Sequence, residues 1–254
     1  HRIWGRLIFL VFLIPLIIFV KKKYISGKLK KHLIVILLLI FFQGLFGWYM
    51  VKSGLINKPD VSHYRLSIHL LLAFIIYGYL LSLIFSNYIQ ENNKEIITGK
   101  NKSFYILNLI LIFLILTTVF SGGMVAGLDA GLVYNTFPLM GDTFVPLDIL
   151  EFRPKFINFF ENPVTVQFDH RILGVITFFL ILLIWFYARI INLNRSIIRK
   201  TNILLCFVFI QIGLGIATLL SYVTIHVAIA HQLGSLVLFT ISIWTLKSLP
   251  LVSK

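Results

Sequence analysis

Seven apolar blocks, each close to the length of a membrane-crossing helix, restrict the fold of this sequence more than any other feature. They fall at about 6–20, 33–50, 66–90, 104–121, 172–191, 202–221 and 226–247. A helix rises about 1.5 Å per residue, so roughly 20 residues cross a hydrocarbon layer of ~30 Å. The first block is short on this count and is expected to extend back toward His1. Runs this long lack the polar stripe that a soluble helix turns to water. With 59% hydrophobic residues in 254 and a mean hydropathy of +0.95, a soluble fold would lack the polar surface it needs. The expected fold is an all-α polytopic membrane protein.

The formal charge of +14 might suggest nucleic acid, but its placement argues otherwise. Lys21, Lys22, Lys23, Lys28, Lys30 and Lys31 fill the first connection, and Lys94, Lys100 and Lys102 the third. Arg189, Arg195, Arg199 and Lys200 flank a later one, and Lys247 and Lys254 lie at the tail. Alternating connections thus carry 15 of the 23 basic residues, against 8 on the opposite side, where the loops are longer. The positive-inside rule then puts segments 21–32, 91–103 and 192–201 and the C-terminus in the cytoplasm or its equivalent. No basic amphipathic helix or aromatic-studded basic face is present, so no nucleic-acid partner is expected. The single cysteine, Cys206, lies inside an apolar block and offers neither a disulfide framework nor a CxxC metal site.

The longest connection, about 122–170, is placed on the outer side. It holds Gly122, Gly123, Gly127, Gly131, Pro138, Pro146, Pro154 and Pro163, interleaved with aromatic residues such as Tyr134, Phe144 and Phe156. Long connections of this kind are usually functional or disordered, and the aromatic content argues against disorder. It is expected to pack on the outer membrane face, partly as a short amphipathic helix.

The chain also resembles itself. HRIWG at 1–5 matches HRILG at 170–174, each opening a span, and Gln43 and Gly47 match Gln211 and Gly215 at a constant offset of 168. His69 answers His231, the two histidines of a copy being 68 residues apart in the first and 61 in the second. Each copy reads His-span, Gln-span, His-span in the same direction. The block at 104–121 and the long loop precede the second copy. By symmetry a helix and an outer loop are expected upstream of His1, giving eight spans in the intact protein. The expected architecture is two tandem pseudo-symmetric four-helix bundles, divided at 1–98 and 99–254. Duplicated units are common in membrane proteins.

Histidine in a span is costly and marks function more often than not. A helix-end histidine at the headgroup level has an ordinary structural reading, but four in two matched pairs do not. His1, His69, His170 and His231 are all placed near the outer surface, each pair on two helices separated by a third. Two imidazoles facing each other across a bundle are the ligand set of a bis-histidine heme. Zinc would ask for a third or fourth ligand, and a nearby candidate such as Asp169 does not recur in the first copy. Arg2 and Arg171 follow paired histidines and Arg65 precedes His69 by one turn, where they would meet heme propionates or snorkel to the interface. Gln43 and Gln211 would bond across the bundle or face the ring. His32 and His63 lie in connections, and His226 sits about 140° around the helix from His231, so those two cannot share one iron.

These motifs resemble the heme A synthase family, which converts heme O to heme A for cytochrome oxidase. The resemblance covers nearly the whole chain: HRIWGR at 1–6, QGLFGWYMVKSGL at 43–55, VSHYRLSIHL at 61–70, GGMVAGLDAGLVYNTFPLMG at 122–141, ENPVTVQFDHR at 161–171 and HVAIAHQLGS at 226–235. It implies eight helices in two four-helix halves. His170 and His231, with Arg171 and Gln211, would hold a heme b that carries electrons. His1 and His69 would be the catalytic pair framing the substrate heme O, with Arg2, Arg65 and Gln43 beside it. A ring methyl would be oxidised to a formyl group by successive hydroxylations, with water supplying the oxygen. The family's glutamate three residues before the first histidine would fall upstream of His1, and its counterpart in the second copy is Gln167. The outer-loop cysteine pair of some bacterial members has no equivalent here.

The resemblance further implies a bacterial inner membrane, ahead of a mitochondrial one, with the heme sites near the outer face. The partners it implies are heme O, the lipid bilayer, a heme O synthase, cytochrome oxidase assembly factors and a second copy of the chain. The competing readings are a diheme electron-transfer subunit of the cytochrome b type and a transporter with structural histidines.

Overall fold

The computed structural model describes residues 2–54, 61–89 and 99–249, and the side chains of 3–52, 61–86 and 101–249. His1 lies outside the described residues, as does the side chain of Arg2. The described chain is helical: α1 Arg2–Lys21, α2 Gly27–Gly54, α3 His63–Ile89, α4 Gly99–Gly127, α5 Asn158–Glu161, α6 Pro163–Ile190, α7 Arg195–Leu220 and α8 Ile225–Lys247. All but α5 are long and apolar enough to cross a membrane, which gives the seven expected spans.

Two boundaries differ from expectation. Helix α4 runs through Gly122 and Gly123 to Gly127, and α6 begins at Pro163, so the outer connection is 128–162 rather than 122–170. The glycines do not break α4 because close packing uses them. A Cβ at Gly123 would lie 2.7 Å from the Ser67 Cα, and one at Gly127 would lie 2.6 Å from the His63 Cα. Here α3 and α4 touch backbone to backbone, as small residues four apart allow in lipid. Pro163 sits where a helix tolerates it, in the first turn, and the Asn162 side chain caps the start by accepting from Val164 N at 2.9 Å. His170 is therefore seven residues inside its helix and does not open it.

Helices α4, α6, α7 and α8 pack around one another in a ring, α4 touching both α6 and α8. Helices α1, α2 and α3 pack in a row, and α3 joins the ring through α4 and α8. Ile181, Ile184 and Leu204 are fully buried in the ring, and the Phe74 and Phe239 rings meet at 5.5 Å where α3 crosses α8. Buried polar side chains turn back on their own helices, which gives their donors a partner without water. Asn108 donates to Phe104 O, Ser242 to Leu238 O and Thr245 to Ile241 O, each at 2.8 Å.

The outer connection is ordered by asparagines. Asn158 is fully buried, donates to Phe152 O and Lys155 O at 2.9 Å, and accepts from Phe152 N and Asn162 Nδ2 at 2.9 Å. Asn135 donates to Leu219 O at 2.8 Å and so pins the connection to the end of α7. Its helical content is one turn, Asn158–Glu161, with 3-10 turns at Ala130–Leu132 and Lys155–Ile157, and no longer amphipathic helix forms.

Gly127→Ala should overpack the α3–α4 contact at backbone and cost about 2 kcal/mol. Thermal unfolding in detergent should show a clear fall in Tm, with Gly174→Ala, where a Cβ meets nothing within 4 Å, unchanged.

Candidate functional site

His69 and His231 occupy the same place in their helices, six residues after the first residue of α3 and of α8. A glutamine on the preceding helix grips each one. Gln43 Nε2 on α2 donates to His69 O at 2.8 Å, and Gln211 Nε2 on α7 donates to His231 O at 3.0 Å. The sequence reading left the glutamines between helix–helix bonding and facing the ring. The second copy does both, since Gln211 Nε2 also lies 3.2 Å from His231 Nδ1. Gly234 makes room for that amide, because a Cβ there would collide with Gln211 Oε1.

His170 and His231 face each other across the ring of helices. Their ring centroids are 6.5 Å apart and their planes 84° apart. Two metal–nitrogen bonds of about 2.0 Å, with roughly 1.1 Å from each nitrogen to its ring centre, require about 6 Å. The observed ring spacing is close to that requirement. His170 Nδ1 is engaged by Ser121 Oγ at 3.3 Å, and His231 Nδ1 lies 3.2 Å from Gln211 Nε2. At His170 the hydroxyl can accept from Nδ1–H, which leaves Nε2 for a ligand. Among the described residues no group of three or more His, Cys, Asp or Glu side chains converges. The donor set is two imidazoles, which suits a heme iron better than zinc.

In the first copy, His69 packs edgewise on Gly47 and stacks with Phe46 at 6.3 Å and 16°. Its expected partner, His1, falls outside the described residues. The Arg65 guanidinium lies over the Tyr49 ring at 5.1 Å.

Arg171 holds the outer connection. Its guanidinium donates to Tyr134 O at 2.9 Å, Thr136 O at 3.1 Å and Leu139 O at 3.3 Å, and Gln167 Nε2 donates to the same Tyr134 O at 2.9 Å. The Arg171 Nε is buried without a hydrogen-bond partner. Burial, and then the Asp148 carboxylate that accepts from it at 3.1 Å, push the Tyr134 phenol above its ordinary pKa of 10.0. The phenol stays protonated and keeps that hydrogen bond at neutral pH. Segment 134–139 is thereby laid over the N-terminal part of α6, one turn from His170.

The histidines outside the pairs go elsewhere. His226 is exposed, His32 Nδ1 lies 2.7 Å from Tyr79 Oη, and His63 Nε2 lies 3.7 Å from Glu161 Oε2. Tyr64 donates to Glu161 Oε1 at 2.6 Å, which ties α5 to α3. Sequence reasoning assigned nothing to Ser121, Gly122, Tyr64 or Glu161. Gly47 and Gly215 stood out only as repeat members, without a role.

The sequence profile of the COX15-CtaA family, described as cytochrome oxidase assembly protein, matches residues 1–243. The chain belongs to this family. It is 41% identical over 264 residues to bovine heme A synthase COX15 (Bos taurus), which covers 100% of this chain and 63% of that relative. It is 42% identical over 239 residues to a heme A synthase of Wolbachia sp. subsp. Brugia malayi, covering 94% of this chain and 69% of the relative. With the heme A synthase of Nitrosospira multiformis it shares 41% identity over 244 residues, covering 96% and 68%. The chain thus spans less than two thirds of the length of the bovine relative. Family members occur in both bacteria and animals.

Arg171→Ala should release segment 134–139. Cleavage there by a protease added to the detergent-solubilised protein should speed up by about tenfold or more, since a hydrogen bond to a charged group contributes about 1.5–3 kcal/mol. Arg171→Lys should rescue only in part, because one ammonium cannot reproduce the guanidinium fork.

Proposed function

We propose that this protein is a heme A synthase. It oxidises a ring methyl of heme O to the formyl group of heme A: the methyl and one water give the formyl, four protons and four electrons. The observation that carries this reading is the facing pair of His170 and His231 in a chain of the cytochrome oxidase assembly family.

On this reading residues 99–254 form the cofactor half, in which His170 and His231 hold a heme b. Such a heme takes up and passes on single electrons. Ser121 and Gln211 orient its ligands, Arg171 offers Nε toward a propionate, and segment 134–139 keeps water from the outer end of the bundle. Residues 1–98 form the substrate half, in which His1 and His69 frame heme O, with Gln43 fixing the α3 backbone at His69 and Arg2 and Arg65 at the membrane edge. The C-terminus is cytoplasmic and both sites lie near the outer face of a bacterial inner membrane. A heme O synthase would supply the substrate, and oxidase assembly factors and a second copy of the chain are the further partners.

A second reading, a diheme cytochrome b-type subunit, is favoured by one observation: the two halves grip His69 and His231 with the same Gln–Gly pair. Heme extracts from membranes of cells making the full-length protein with a heme O synthase separate the two. Heme A is expected, and heme O accumulating without heme A would sink the enzyme reading.

The halves should also respond differently to substitution. His231→Ala should strip the resident heme b, seen as loss of the Soret band in protein made without heme O. His69→Ala should abolish turnover while leaving most heme b bound. Equal loss from both variants would contradict the division of roles.

A further inference from the structure

Each described histidine of the two pairs turns the same edge of its ring, Cε1, into a glycine on a neighbouring helix. A Cβ at Gly47 would lie 2.9 Å from His69 Cε1, one at Gly122 3.2 Å from His170 Cε1, and one at Gly215 3.0 Å from His231 Cε1. Gly44 and Gly213, on the same helices α2 and α7, have nothing within 4 Å, nor do Gly5 and Gly174.

The notch has a floor. Helical side chains lean toward the N-terminus, so the residue at i+4 covers the carbonyl of residue i. Glycine at 122 uncovers Thr118, and glycine at 215 uncovers Gln211. Gly47 stands in the same relation to Gln43. Each imidazole edge is thereby set by van der Waals contact with a bare backbone, and His170 Nδ1 and His231 Nδ1 are further engaged by Ser121 Oγ at 3.3 Å and Gln211 Nε2 at 3.2 Å. A ring so held has little freedom to turn about its Cβ–Cγ bond.

We propose that Gly122 and Gly215 are positioning residues that hold the imidazole planes of His170 and His231 close to perpendicular, at the observed 84°, as an axial ligand pair. Gly47 does the same for His69. The inference rests on the heme reading above and adds what sets the ligand orientation. Relative plane angle decides how the iron d orbitals are split. Perpendicular imidazoles give a ferric low-spin centre with a highly anisotropic resonance at low field, and near-parallel ones give an ordinary rhombic signal.

The test is electron paramagnetic resonance on the purified full-length protein, oxidised, from cells that make no heme O. The wild type should show the highly anisotropic signal. Gly122→Ala, where the ring must yield only a few tenths of an ångström, should keep its heme and move the signal toward the rhombic class. Gly215→Ala should move it further or lose heme, and Gly213→Ala should leave it unchanged. A rhombic wild-type signal would overturn the inference, as would a Gly122→Ala and Gly215→Ala pair with wild-type spectra. Should Gly122→Ala lose its heme, the wild-type signal still decides. A wild-type protein without a Soret band would instead overturn the heme reading itself, which keeps the two failures distinct.

Discussion

The backbone contact between α3 and α4 is the constraint on which the rest of the molecule depends. Lipid is as apolar as leucine, so helices gain little by hiding apolar surface from it, and close approach has to supply the attraction. Gly123 and Gly127 allow that approach, over Ser67 and His63. Successive residues of a helix lie about 100° apart, so Gly123 faces α3 while Gly122, next to it, receives the ring of His170. On α3, Ser67 is buried in the contact two residues before His69. One rigid seam thus fixes the wall of the second site and the helix that carries the first. A shift of α4 on α3 could not be absorbed by either site alone.

The outer connection depends on the same seam. Glu161, at the end of α5, reaches Tyr64 and His63 at the start of α3, on the turn that Gly127 packs against. From there Asn158 and Asn162 fix the chain into α6, and Arg171 and Gln167 fold segment 134–139 back over it. The Glu161 contacts and the Asn162–Asn158 bond join side chains, and the others end on backbone carbonyls or amides. A connection of this length with so little helix can be ordered only in this way, because its own carbonyls and amides need partners that secondary structure does not provide.

The spans were legible because length and apolarity leave a chain few alternatives in water or in lipid. The histidine and glutamine positions were legible because duplication displays them twice. Boundaries were less so. Gly122, Gly123 and Gly127 read as loop residues in isolation, and only the contacts of Gly123 and Gly127 with α3 and of Gly122 with His170 explain why the helix continues. Pro163 read as a loop proline, though Asn162 before it is a helix cap. Arg171 was the hardest to place. An arginine beside a ligand histidine at the membrane edge suggests an anionic partner, but the carbonyls that take its guanidinium lie 32 to 37 positions away. The notch glycines were half legible, since the repeat marks Gly47 and Gly215 while nothing in one sequence marks Gly122.

What repeats and what differs between the copies carries a further argument. Glutamine, glycine and histidine recur with the same hydrogen bond and the same edge contact, as expected of a device that any histidine-ligated heme would need. Position 46 does not recur: Phe46 stacks on His69, whereas the residue at the offset of 168 is Leu214. An aromatic face against the imidazole adds a second polarisable contact to one ring and not to the other. On the proposed reading, the half that must admit and release a heme holds its histidine differently from the half that keeps one. Binding accounts for the symmetric residues, and the difference in chemistry is to be sought among the asymmetric ones.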